Sequence, residues 1–203
     1  WNQHWRSPLR KALDQLRDEL ISIYEEKGAH YFKDPWDARD DYIHVILDRS
    51  DESVNSFFKK HANFDLSEKE ISTALNLLEM QRHAMLMYTS CGWFFADISG
   101  LEVVQILKYA ARAMELGNKF SNQDLELKFA AELDHAKSNI PKLGTGKDIY
   151  YNMVKPSVVT AEKLVNHYAI LSTIHENSNL SNVYNYEIIR KDYNKNVGSN
   201  RTI

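Results

Sequence analysis

The residues best suited to chemistry gather in one short connection. Ser90, Cys91, Gly92, Trp93, Phe94, Phe95 and Asp97 lie between two apolar stretches of the run LLEMQRHAMLMYTSCGWFFADISGLEVVQILKYAARAMELG at 77–117. Loops between rigid helices are where function is usually carried. Trp93 offers a flat apolar face and an N–H donor, a combination that suits stacking on a sugar ring or packing at an interface. Three consecutive large aromatics cannot all enter one core from a tight connection, so at least one is expected at the surface. Trp93, Phe94, Asp97 and Ser90 are therefore the candidate binding residues.

Other chemistries have weaker sequence support. Cys91 as a nucleophile needs a base beside it. His83 is about two helical turns away, so a buried, inert thiol is expected. Asp97 and Glu102 flank the start of a helix, and a pair of carboxylates can perform glycoside hydrolysis. Glu102 is also the third residue of the capping box Ser99-x-x-Glu102, which gives it a structural duty. Asp97 has no such duty and stays a site candidate. Glu79, Arg82 and His83 share one helix face at i, i+3 and i+4. They are expected to satisfy one another as a polar network, or to back the 90–97 loop from behind. Glu132-x-x-His135 stands alone, without the second copy that di-metal bundles use. With no His-Glu-x-x-His, no cysteine pair and no glycine-rich phosphate loop, no metal or cofactor is expected. No catalytic residue is assigned.

The elements that must position these residues are helices. Ser7-Pro8 reads as a cap and first turn, followed by Leu9, Leu13, Leu16, Leu20, Ile23 and Tyr24 at helical spacing, with Gly28 just past the end. Asp34-Pro35 opens a second helix with Trp36, Tyr42, Ile43, Ile46 and Leu47 on its apolar face. Residues 51–62 read as a third, carrying Val54, Phe57 and Phe58. The capping box Ser67-x-x-Glu70 opens a long helix to about Tyr88, and Ser99 opens another to Gly117. Residues 122–136 and 158–174 read as helices, 142–146 as a loop, and 183–190 as a weak β segment. The fold class is all-α: an antiparallel helical bundle over 1–176, with a C-terminal tail at 177–203 that holds the short strand. The 67–88 and 99–117 helices should lie at its centre, with Ala110, Ala111 and Ala113 allowing close approach.

Composition narrows the function classes. The 203 residues are 43% hydrophobic and 26% charged, with 25 basic and 28 acidic side chains and a net charge of −3. No basic stripe points to nucleic acid. No run approaches the roughly 18 apolar residues of a membrane span, and no signal peptide is visible. The single cysteine excludes an intrachain disulfide and suits a reducing, cytoplasmic compartment. Sequons occur at Asn179 and Asn200. The aromatic-rich start and a strand-like end at 185–190 read as an excised piece of a longer protein.

The run LLEMQRHAMLMYTSCGWFFADISGLEVVQ resembles the domain family DUF3536. It is preceded by Asp34-Pro35-Trp36-Asp37-Ala38-Arg39-Asp40 and followed by Tyr109-Ala110-Ala111-Arg112-Ala113, and the likeness covers most of 1–190. The resemblance implies a helical domain C-terminal to a glycoside hydrolase family 57-like barrel in bacterial proteins related to α-amylases and α-mannosidases. That barrel would carry the catalytic carboxylates. The helical domain would pack on it and lend the 90–97 loop to a cleft for an oligosaccharide or polysaccharide. Ser90-Cys91-Gly92-Trp93 looks like the counterpart of a Ser-Asp-Trp-like motif, with Cys-Gly at the acidic position. Ala96 also stands where another acidic residue is expected. The isolated chain should then lack glycosidase activity. The alternative is a protein-interaction module with no glycan role, which a flat apolar patch, rather than a polar concavity around Trp93, would favour.

Overall fold

The computed structural model describes residues 1–174, together with the backbone of 182–183 and 186–187. The chain forms two compact units, Trp1–Val158 and Val159–Ile203. The first holds α1 (Arg6–Tyr31), α2 (Pro35–Asp41), α3 (Ile43–Leu47), α4 (Asp51–His61), α5 (Glu68–Leu86), α6 (Leu101–Gly117), α7 (Leu125–Leu133) and α8 (Gly146–Ile149). A single π turn, Tyr150–Val154, follows α8. The second unit holds α9 (Ala161–Ile174), which the sequence reading counts with the bundle, and a minimal antiparallel pair, Asn182–Val183 with Tyr186–Glu187. The fold is all-α. The rest of the expected 183–190 segment, the remainder of the 177–203 tail and both sequons lie outside the described residues.

Antiparallel packing can be read from paired side chains. Between α1 and α5, Gln81 donates to the Leu20 carbonyl at 2.9 Å, and Tyr88, just past α5, donates to Asp14 at 2.6 Å. In α5 and α6, His83 meets the Tyr109 ring, while Lys119, just past α6, donates to Asn76. In α1 and α7, Lys11 pairs with Glu132 and Lys128 with Glu19. In each pair one number rises as the other falls. The core between these helices contains Leu9, Leu13, Leu16, Leu20, Leu77, Leu78, Met80, Ile106, Leu107 and Ala110, all buried. The 67–88 and 99–117 helices are central as expected, and α1 shares the centre with them.

Caps explain several boundaries. Asp34 accepts from the Trp36 and Asp37 N–H groups at 2.8 and 3.0 Å, with Pro35 at the first helical position. Glu70 accepts from the Ser67 N–H at 2.8 Å, forming the expected capping box. Other expectations need correction. α1 begins at Arg6, ahead of Ser7-Pro8, and Gly28 lies inside it, because the missing side chain lets Pro35 pack directly on the helix. The second helix breaks at Tyr42 into α2 and α3, and the turn leaves Ile43 and Leu47 exposed while Val45 is buried instead. α7 is shorter than 122–136, since Asp124 caps it by accepting from the Leu127 N–H at 3.1 Å. The 142–146 loop contains Gly144 at φ 71, and Gly146 already belongs to α8.

Candidate functional site

α5 unwinds through two short-range bonds: the Tyr88 N–H donates to the Met85 carbonyl, and the Thr89 N–H to the Leu86 carbonyl, both at 3.1 Å. A 3₁₀ turn, Ser90–Trp93, follows. Gly92 makes this turn fit against α6. A Cβ there would lie 1.8 Å from Ile106 Cδ1 and 2.7 Å from its Cγ1. Only a residue without a side chain allows that approach.

The aromatics then separate. Trp93 is half-buried and packs on the core. Phe94 is 77% exposed, Phe95 is 49% exposed, and Leu101, at the start of α6, is 81% exposed. Ser90 is exposed. Cys91 is exposed too, which corrects the expectation of a buried thiol: the turn points it away from the core that Gly92 approaches.

Asp97 anchors the loop and is buried. Its Oδ1 accepts from the Ser99 N–H at 3.0 Å, the Ser99 hydroxyl at 2.7 Å and the Ser138 hydroxyl at 2.9 Å. Its Oδ2 accepts from the Asn139 N–H at 2.5 Å. Burial pushes the carboxyl's pKa up, but the Ser99, Asn139 and Ser138 donors outweigh it and hold the group below the ordinary carboxylate value. Asp97 thus has a structural duty that the sequence did not reveal. Ser99 is committed to Asp97, so the second capping box does not form and α6 begins at Leu101 behind Gly100.

Residues distant in sequence complete the frame. The Trp5 indole N–H and the Asn139 amide both donate to the Ala96 carbonyl, at 3.3 and 2.9 Å. Arg6 donates to the Phe95 carbonyl at 3.3 Å. Sequence reading missed Trp5, Arg6, Ser138 and Asn139. Their only signal was local: polar residues at 138–139 before Ile140-Pro141, and an aromatic-rich start.

The Glu79 network is real but points elsewhere. Glu79 accepts from the Tyr42 hydroxyl and from Arg49, both at 2.7 Å, and from Arg82 at 3.1 Å. Burial raises its carboxyl pKa, while Arg49, Tyr42 and Arg82 lower it below the ordinary value, and the lowering wins. His83 Nδ1 lies 2.9 Å from the Glu79 carbonyl oxygen, and burial depresses the imidazole's pKa. The partners of this trio come from the α2–α4 segment and Tyr109; among the described residues, none of its hydrogen bonds reaches 90–97.

A family model described as "Domain of unknown function (DUF3536)" matches residues 1–203. The chain belongs to this family. Neither a curated protein nor a solved structure matches it. In this DUF3536 chain the loop expected to bind ligand is hydrogen-bonded to Trp5, Arg6 and Asn139 and carries the exposed Phe94 and Phe95. Trp93 lines neither of two surface grooves, one bounded by Trp1, His4 and Asn139 and the other by Leu16, Leu125 and Phe129. Among the described residues no group of three or more His, Cys, Asp or Glu side chains could hold a metal, and no helix is long and apolar enough to cross a membrane.

Proposed function

We propose that this chain is a non-catalytic helical domain that docks through its 90–97 end onto a second folded surface. By the resemblance of its central run, that surface is the catalytic barrel of a family 57-like carbohydrate-active protein. One observation carries the docking: Phe94 and Phe95 stand exposed on a loop fastened by Asp97, Trp5 and Asn139. A loop already fixed loses little entropy when it docks, so its apolar area converts efficiently into affinity. The two exposed rings supply the apolar centre that a specific interface needs, with Arg6, which donates to the Phe95 carbonyl, as a polar rim. The glycan part of the proposal rests on the resemblance. The sugar would meet Ser90 and the free part of Trp93 at the seam with the barrel, with Phe94 as a platform. Asp97 would act there by holding the loop.

The test pairs this chain with the separately produced barrel. Phe94→Ala with Phe95→Ala should weaken the complex at least tenfold, since interface aromatics commonly contribute 2 kcal/mol or more, while the helical circular dichroism stays unchanged. No complex, or one indifferent to both substitutions, removes the reading. Oligosaccharide titration of the complex with Trp93→Ala separates the two forms of the proposal. Weakened glycan binding supports a cleft. Unchanged glycan binding leaves a protein-interaction module.

A further inference from the structure

Arg6 is the exception among the arginines of the described residues. Arg10, Arg17, Arg39, Arg49, Arg82 and Arg112 each pair with a carboxylate at 2.5–3.1 Å. Arg6 is half-buried, and no carboxylate among the described residues comes within ion-pair distance of it. Its guanidinium carbon lies 5.4 Å from the centre of the buried Trp5 ring. Nη2 donates to the Phe95 carbonyl at 3.3 Å. Nε is buried without an acceptor. Nη1 also lacks an acceptor among the described residues, but it is not buried and meets solvent.

Two carboxylates stand near, and neither pairs with this cation. Asp97 belongs to the same loop, but it is buried, with donors from Ser99, Ser138 and Asn139 on its two oxygens. Glu102 is half-buried in the first turn of α6. A Cβ on Gly100 would lie 3.5 Å from Glu102 Oε2 and 4.0 Å from Phe95 Cβ, yet Glu102 makes no ion pair with Arg6. These two negative charges offset the field of Arg6 at a distance. What Arg6 lacks is an acceptor and a counter-charge in contact.

Docking makes that lack costly. Arg6 touches the Phe95 backbone, so a surface that covers Phe95 also takes water from Nη1. Burying a charge is unfavourable unless it is both paired and hydrogen-bonded. Backbone carbonyls of a partner would satisfy the N–H groups and leave the charge unpaired. A carboxylate does both, because its two oxygens match the fork of a guanidinium. On the footing of the docking proposed for the 90–97 end, we infer that the surface covering Phe94 and Phe95 places an Asp or Glu carboxylate against both Nη groups of Arg6. Arg6 is then the polar anchor of the interface, and arginine is among the side chains enriched at interface hot spots.

Calorimetry of the complex between this chain and the separately produced barrel, over a series of salt concentrations, tests the pairing. The parent complex should weaken as salt rises. Arg6→Gln should weaken it about tenfold or more at low salt, the worth of a hydrogen bond to a charged group, and should flatten its salt dependence. Loosening of the loop, the purely structural effect of this change, would lower affinity equally at every salt concentration. Arg6→Lys should keep the salt dependence and recover only part of the loss, because an ammonium is a point charge without the fork. Arg10→Gln removes an exposed cation one turn along α1 that Asp14 already holds, and should change affinity less than about twofold. A complex that responds to Phe94→Ala with Phe95→Ala, but loses no more from Arg6→Gln than from Arg10→Gln, overturns the carboxylate and leaves the docking. An Arg6→Gln loss that is the same at every salt concentration does so too. Full affinity in Arg6→Lys overturns the two-point contact. No complex, or one indifferent to both phenylalanines, removes the docking and the carboxylate with it.

Discussion

The Asn139 backbone N–H donates to the Asp97 carboxylate at 2.5 Å, joining the loop after α5 to a turn 42 residues later in the chain. The same carboxylate holds Ser99 and Ser138. Asp97→Ala would leave these half-buried donors without their acceptor, at roughly 1–3 kcal/mol for an unsatisfied group and more when several are stranded. The expected result is a loss of about 3 kcal/mol in urea unfolding and faster amide exchange at Ser99 and Asn139. A loss below about 0.5 kcal/mol, typical of surface changes, would mean that the loop is held without Asp97.

Gly92→Ala should destabilise by about 1–3 kcal/mol, the usual cost of forcing a methyl group into a filled core. The clash is with Ile106, which is fully buried and cannot swing aside. Ile106→Val removes the Cδ1 atom that the new methyl would strike. The double mutant should therefore lose less than the sum of the two single losses, and strict additivity would show that Gly92 is kept for another reason.

Leu78→Ala and Leu107→Ala should each cost roughly 2–5 kcal/mol, because both side chains are fully buried between the central helices. Equilibrium unfolding of the two variants checks this. A cost under about 1 kcal/mol for either would move that residue out of the core.

Regular elements were legible in the sequence because their signals are local. Asp34-Pro35 and Ser67-x-x-Glu70 act within one helical turn, and the leucines of α1 repeat at helical spacing. The Ser99 box failed for a non-local reason: Asp97 competes for the same hydroxyl and wins with support from Ser138 and Asn139. Gly28 misled because a buried glycine inside a helix, with Pro35 packed on it, has the same sequence signature as a helix end. The frame of the loop was illegible because Trp5, Arg6 and Asn139 reach Ala96 and Phe95 only after α1, α6 and α7 have assembled.

Asp41 should give the domain an acid-sensitive increment. Hydrogen bonds from Lys60 at 2.8 Å and with His61 at 2.7 Å lower its carboxyl pKa from 3.8 to about 2. A carboxyl depressed in the folded state stabilises above its unfolded pKa, and that contribution fades as pH falls from about 4 toward 2. Because the pair is partly exposed, screening keeps the increment under about 1 kcal/mol. Asp41→Asn should lower the melting temperature near neutral pH, and the two curves should converge by pH about 2. A gap that persists unchanged to that pH would show that lost packing, not charge, causes the difference.

Trp93 and Phe94 are adjacent in sequence and should behave oppositely. Trp93, the last residue of the 3₁₀ turn, packs on the core, so Trp93→Ala removes buried aromatic area and should cost the isolated chain roughly 1–3 kcal/mol, less than the 3–5 typical of a fully buried ring. Phe94 is 77% exposed, and Phe94→Ala should fall within about 0.5 kcal/mol of the parent. In complex with the barrel the order should invert: Phe94→Ala then removes a docking anchor, whereas Trp93→Ala acts mainly through the stability of the turn. Unfolding of the isolated variants and calorimetry of their complexes, measured side by side, give the four numbers. If Phe94→Ala destabilises the isolated chain as much as Trp93→Ala does, the ring is covered by the chain itself and the 90–97 end loses its claim as a docking surface.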